Sequence, residues 1–221
     1  MRQTWGRLLL MCGLAAWLTA RGAELPAEVS RAAETGMLAL LGNVPDGTLS
    51  DYGFGVSAER DRARLGEPFH LATIAPRALL AYRPGDNPEA LLTDTTLWYF
   101  PVLVDGAIRC LLVVDRTAAG WEAVSLGYVP LARALDDLLR ARAAAGGARP
   151  RLVAVFQARE YLYTVPGEAA PTLTSLAVPG SGSGGASAAV APQTPAATTL
   201  LRLKPLVERN LHEFGAPGKE P

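Results

Sequence analysis

Few side chains in this chain have the types and spacing that catalysis or metal binding requires. Beyond residue 22 the sequence holds two histidines, His70 and His212, and a single cysteine, Cys110. A Cys–His pair supplies a nucleophile when the histidine helps the thiol to ionise, and Cys110 and His70 both lie in apolar runs that predict strands of one sheet. A cysteine in an apolar strand is more often a buried core residue. We therefore expect Cys110 to belong to the core, and we predict no catalytic residue.

The common sequence motifs of catalysis and metal binding do not occur either. The sequence has no HExxH, CxxC, GxSxG or Walker-type segment. The adjacent carboxylates Asp136 and Asp137 fall in a predicted helix, where neighbouring residues do not share a face, so we interpret them as a solvated edge. These observations predict no metal and no cofactor, and they favour a protein that is not an enzyme.

A β-hairpin is the strongest structural prediction. Leu97–Val104 and Ala107–Val114 are rich in Val, Leu, Ile and aromatic residues, and Asp105-Gly106 separates them. Asp-Gly between two such runs favours a type I′ turn, which needs a positive φ at both central residues. Trp121–Leu126 then predicts a third strand that returns against the second.

The two-residue turn also predicts which side chains share a face of the hairpin. It places Leu103 opposite Ile108 and Tyr99 opposite Leu112 on a face that is almost wholly apolar, which we expect to be the core face. The second face is then also largely apolar and carries one charge, Arg109. Its other members are Trp98, Phe100, Val102, Leu111 and Val113.

This second face gives the candidate binding site. Burial of an unpaired guanidinium is costly, so Arg109 must reach water, a carboxylate or a ligand. One interpretation is that Arg109 extends its charged end into solvent at the edge of the sheet. The sharper hypothesis is an incompletely covered groove, with Trp98 and Phe100 as its walls and Arg109 as the anchor for an anionic ligand or partner.

The first 22 residues have the layout of a secretory signal peptide. Arg2 and Arg7 precede the apolar run Leu8–Ala20, and small residues follow. We place cleavage after Gly22, with Ala20 as the alternative. The apolar run is short for a membrane span, and a bulky residue before Cys12 disfavours lipid attachment. The sequence therefore predicts an exported protein, periplasmic or extracellular, with no membrane association after cleavage.

The net charge of the chain argues against a nucleic-acid partner. The leader holds three arginines and no acidic residue, so removal leaves 18 basic against 21 acidic side chains and a net charge of −3. A nucleic-acid-binding domain would show a basic stripe, so we expect a protein or small-molecule partner.

One remaining cysteine allows no internal disulfide, so the core alone must hold the fold.

Periodicity along the chain predicts one α+β domain over residues 23–165. Apolar spacing predicts helices at Leu25–Leu41 and Val129–Ala145, and strands at Pro68–Ile74, Arg151–Gln157 and Glu160–Val165. We expect an antiparallel sheet of about four to six strands with helices packed on it, cystatin-like or PAS-like by analogy. Residues 166–199 are rich in Pro, Gly, Ala and Ser and predict a flexible linker. Residues 200–221 predict a short helix and a frayed tail.

Three short segments resemble a pattern of uncharacterised secreted bacterial α+β proteins. These segments are LGEPF at 65–69, FPVLVDG at 100–106 and GWEAVSLG at 120–127. The resemblance implies a secreted α+β domain and brings no activity or site residues with it. Because histidines are few and no metal-binding motif occurs, we expect a non-catalytic extracytoplasmic binding or protein-interaction module, with a secreted hydrolase of unrecognised motif as the alternative.

Overall fold

A mixed sheet of eight strands forms the centre of the protein. The structure is a computed structural model that describes residues 25–168, 170–178 and 193–214; the predicted signal peptide lies outside these residues. The strands are β1 (Arg64–Leu65), β2 (Phe69–Ile74), β3 (Leu92–Val104), β4 (Ala107–Thr117), β5 (Gly120–Gly127), β6 (Arg151–Val155), β7 (Glu160–Thr164) and β8 (Thr174–Ser175).

The strand order is β5-β4-β3-β2-β6-β7-β8, and β1 pairs with β3. The pairs are antiparallel except β2 with β6, which run parallel. The sheet is thus larger than the predicted four to six strands and is not purely antiparallel. Strands of two residues such as β1 and β8 give no periodic signal, and a long crossover that contains a helix places β6 parallel to β2.

Two of the five helices that the structure describes, at residues 27–42 and 129–144, lie where apolar periodicity predicts them. The helices are α1 (Ala27–Gly42), α2 (Ala58–Asp61), α3 (Pro76–Ala81), α4 (Val129–Ala144) and α5 (Ala196–Phe214), with 3₁₀ turns at Asp46–Tyr52, Pro88–Leu91 and Phe156–Ala158. Pro76 and Pro130 lie in the first turn of their helices, where a missing N–H costs no hydrogen bond. Among the described residues, no helix is long and apolar enough to cross a bilayer.

The hairpin turn is confirmed, but its register changes at Arg109. Asp105 and Gly106 have φ values of 51° and 80°, and Leu103 lies opposite Ile108. Cys110 then pairs with Val102, which leaves Arg109 as the extra residue of a β-bulge. Beyond the bulge every partner shifts by one residue, which moves side chains to the opposite face.

The bulge therefore corrects the predicted faces of the hairpin. One face, here called the α1 face, carries Trp98, Phe100, Val102, Cys110, Leu112 and Val114, packed with Val29, Ala33 and Leu41. The opposite face, the α4 face, carries Tyr99, Leu111 and Val113, packed with Leu131 and Leu135. Leu111 and Val113 thus lie away from Trp98, and a helix covers each face.

The core continues past the predicted boundary at Val165. Strand β8 pairs with β7, and α5 begins at Ala196, so both ends of the predicted 166–199 linker belong to the folded part. Residue 169 and residues 179–192 lie outside the described residues. From α5, Leu200, Leu203 and Val207 are buried against β2, β6 and β7.

Candidate functional site

Trp98 and Phe100 do not line an open groove. Both side chains are buried in the α1-face core, where α1 and the apolar side chains Val44, Leu49 and Phe54 that follow it cover this face of the sheet. The ring of Trp98 stacks on His70, with 4.3 Å between ring centroids. A binding role for these two residues stays a prediction, and their position is that of core side chains.

Arg109 occupies a different environment, at the end of the hairpin. Its Nη2 donates to Oε1 of Glu59 over 3.0 Å. The Arg109 side chain is 33% exposed and that of Glu59 13%. The Nε–H of Arg109 is buried and has no acceptor among the described residues. The bulge thus aims the guanidinium at the α2 segment and leaves its buried Nε–H without an acceptor.

The backbone around Arg109 is also closely packed. A Cβ atom at Gly53 would lie 2.4 Å from the carbonyl oxygen of Arg109, and Gly53 has a φ of 81°. Both facts require glycine at this position. The chain from Gly53 onwards is therefore held directly against the bulge.

Ion pairs fix this segment to the rest of the domain. Arg60 contacts Asp46 over 2.5 Å, and Arg62 contacts Asp105 at the hairpin turn over 2.9 Å. The hydrogen bond and charge of Arg62 lower the pKa of Asp105. We call the group Asp46, Glu59, Arg60, Arg62, Asp105 and Arg109 the hairpin-end cluster. A mixed charge run such as 59–64 by itself indicates solvated surface, because its ion-pair partners Asp46, Asp105 and Arg109 are distant in sequence.

The histidine on β2 does not meet the cysteine. His70 pairs with Trp98 on β3, whereas Cys110 pairs with Val102, four residues further along that strand. The His70 Nε2 lies 2.7 Å from the carbonyl oxygen of Thr95. Burial raises the pKa of the Cys110 thiol to about 12, so the thiol stays protonated at neutral pH, when it is a poor nucleophile.

A tyrosine pair on the α4 face was missed by sequence reasoning. The hydroxyls of Tyr99 and Tyr161 lie 3.2 Å apart, and burial raises the pKa of both phenols. Tyr128, which has a φ of 55°, places its ring 5.9 Å from that of Tyr99. Periodicity carries no signal for such a pair, because the two residues belong to strands that are distant in the sequence.

The described part of the chain contains no candidate metal-binding site. Within those residues no group of three or more His, Cys, Asp or Glu side chains is arranged to hold an ion. Comparison with known proteins finds no matching family model, no matching curated protein and no matching solved structure. The hairpin-end cluster is therefore the candidate site.

Proposed function

We propose that this protein is a non-catalytic extracytoplasmic interaction module that contacts a protein partner through the hairpin-end cluster. The observation that carries the proposal is Arg109, which a β-bulge turns out of the ladder towards α2 with its Nε–H unpaired among the described residues. Bulges commonly redirect a side chain at a functional site.

The exposed side of Arg109 gives the cluster a donor for a partner. The side chain is 33% exposed, so a carbonyl or carboxylate from a partner can accept a hydrogen bond from an exposed Nη–H. The buried Nε–H is out of a partner's reach, and its lack of an acceptor costs about 1–3 kcal/mol. Glu59 already holds the other side of Arg109, which fixes the direction from which an acceptor approaches.

The surroundings favour a protein partner over a small anion. The cluster contains Arg60, Arg62 and Arg109 against Asp46, Glu59 and Asp105, so its charges balance. Val56, which is 58% exposed, provides an apolar contact on the same segment. An apolar contact among charged residues is typical of a protein interface, which combines a more apolar centre with a polar rim.

Three predictions from the sequence belong to this proposal. Export rests on the signal-peptide layout of residues 1–22. The likeness to cystatin-like or PAS-like architectures rests on the order of the elements, and fold alone does not give function. The resemblance to uncharacterised secreted proteins rests on the three motif segments.

Site-specific photo-crosslinking tests the contact surface. A photoreactive amino acid replaces Val56 in one variant and Phe156 in another. Phe156 is a matched control because it is 46% exposed and follows β6 at the opposite end of the sheet. In the producing cells, we expect a discrete crosslinked partner from position 56 and none from position 156.

The role of Arg109 is tested in the same assay. Arg109→Gln removes the charge and should reduce the position-56 crosslink about tenfold, the effect of about 1.4 kcal/mol. The double variant Glu59→Gln, Arg109→Gln controls for a carboxylate left without its cation. The same crosslinks from both positions, or full crosslinking by a folded Arg109→Gln variant, would refute the proposal.

A further inference from the structure

We infer that two copies of this chain pair through the free edge of β5, which extends the sheet from one copy into the other. Within the described residues, β5 hydrogen-bonds to β4 alone and ends the sheet. Its backbone groups on the outer side are therefore available to a further strand. This inference does not rest on the hairpin-end cluster.

The edge lacks the charges that usually prevent strand pairing. Residues 120–127 contain no Lys, Arg or Pro, and the single charge is Glu122, whose carboxylate accepts a hydrogen bond from Thr117 over 2.7 Å. Natural edges are commonly protected by such charges or by proline. A bulge is another protective device, but the bulge in β5 turns an apolar side chain outwards. That side chain is Val124, which is 49% exposed.

An antiparallel pairing with a second β5 is compatible with these side chains. A two-fold axis between Ala123 and Val124 places Glu122 opposite Ser125 of the second copy and Trp121 opposite Leu126. No like charges meet in this register. A two-fold arrangement uses the same surface on both copies and closes, so it gives a dimer rather than a fibre.

The position of α1 on β5 determines how close the α1 helices of the two copies come. A Cβ atom at Gly36 would be 2.0 Å from Cβ of Ala123, so α1 rests directly on β5. It also contacts the β4 side chains of the α1 face. Because α1 packs on side chains of both β4 and β5, we place its axis between these strands. Strands about 4.8 Å apart then bring the two α1 axes to about 10 Å, a normal helix-packing distance.

The side of α1 that would face α1 of the second copy carries small side chains. At 100° per residue, Ala32, Thr35 and Ala39 lie on the side of Gly36, away from the buried Leu41. These side chains are small, and Thr35 and Ala39 are exposed. In the same register Glu28 comes opposite Asn43 of the second copy, so the helices also bring no like charges together.

Sedimentation of the purified protein over roughly a hundredfold range of concentration tests the pairing. We expect a dimer for the unchanged chain and a monomer for Val124→Lys, which places two cations at the axis. Leu201→Lys, on α5, is the matched control and should remain a dimer. A monomeric unchanged chain, or a Val124→Lys variant that stays dimeric, would overturn the inference.

A second pair of variants locates the helix contact. Ala39→Arg should dissociate the dimer, whereas Leu38→Arg, on the neighbouring but solvent-facing residue of α1, should not. Both positions are exposed, so neither change is expected to unfold the domain, and thermal melts check this. Dissociation by Leu38→Arg with no effect of Ala39→Arg would place the contact on another side of α1 and refute the arrangement.

Discussion

The replacement Leu203→Ala tests whether α5 belongs to the folded domain. Leu203 has no exposed surface and packs in a cluster with Ile74, Leu79 and Val153. Truncation of a fully buried leucine removes apolar contacts and leaves a cavity, which costs about 2–5 kcal/mol. Leu201, two residues earlier on the same helix, is 43% exposed, so Leu201→Ala should change the free energy of unfolding by about 0.5 kcal/mol or less.

Urea unfolding followed by circular dichroism measures the free energy of unfolding of both variants, and a thermal melt measures their melting temperatures. For a domain of this size, the expected loss of unfolding free energy in Leu203→Ala lowers the melting temperature by about 4 °C or more, since 1 kcal/mol corresponds to about 2–4 °C. Equal midpoints for Leu203→Ala and Leu201→Ala would refute the reasoning, because α5 would then behave as the separate tail that the sequence predicts. A loss confined to amide protection within α5 would indicate local detachment instead of global unfolding.

Three further predictions concern the leader, the thiol and the tyrosines. N-terminal sequencing of the exported protein should give a start at Ala23 or Arg21, and an unprocessed Met1 would contradict the signal-peptide interpretation. The Cys110 thiol, whose pKa burial raises to about 12, should resist alkylation at pH 8 in the native protein and react in urea; equal rates would contradict its burial. Because burial raises the pKa of Tyr99, ionisation favours the unfolded state, so stability should fall as pH rises above about 10. Tyr99→Phe should weaken that dependence, and identical pH–stability curves for the two proteins would show the reasoning to be wrong.

Local signals in the sequence predicted most of the elements. The helical spacing at Leu25–Leu41 and the Asp105-Gly106 turn depend on neighbouring residues, and α1 and the hairpin both occur where these patterns indicate. The pairing of strands that are distant in the sequence has no comparable local signal. The parallel contact of Ala72 with Val153 joins strands that are separated by the whole hairpin, so the size of the sheet could not be obtained from periodicity.

The candidate site depended on a single feature that the pattern of apolar residues does not encode. Alternation along a run such as Ala107–Val114 assumes an unbroken ladder, and one bulge at Arg109 reverses every later side chain. The sequence therefore predicted the chemical need of Arg109 for a partner but assigned it the wrong neighbours.

The same bulge connects the core to the proposed contact surface. In an unbroken ladder without the bulge, Cys110 and Leu112 would turn towards α4, and the Arg109 side chain would enter the apolar layer below α1. With it, the α1 face closes over Trp98 and Phe100, and the guanidinium leaves that layer to meet Glu59. The feature that removes the predicted groove thus also brings Arg109 to the end of the hairpin, where its side chain is partly exposed.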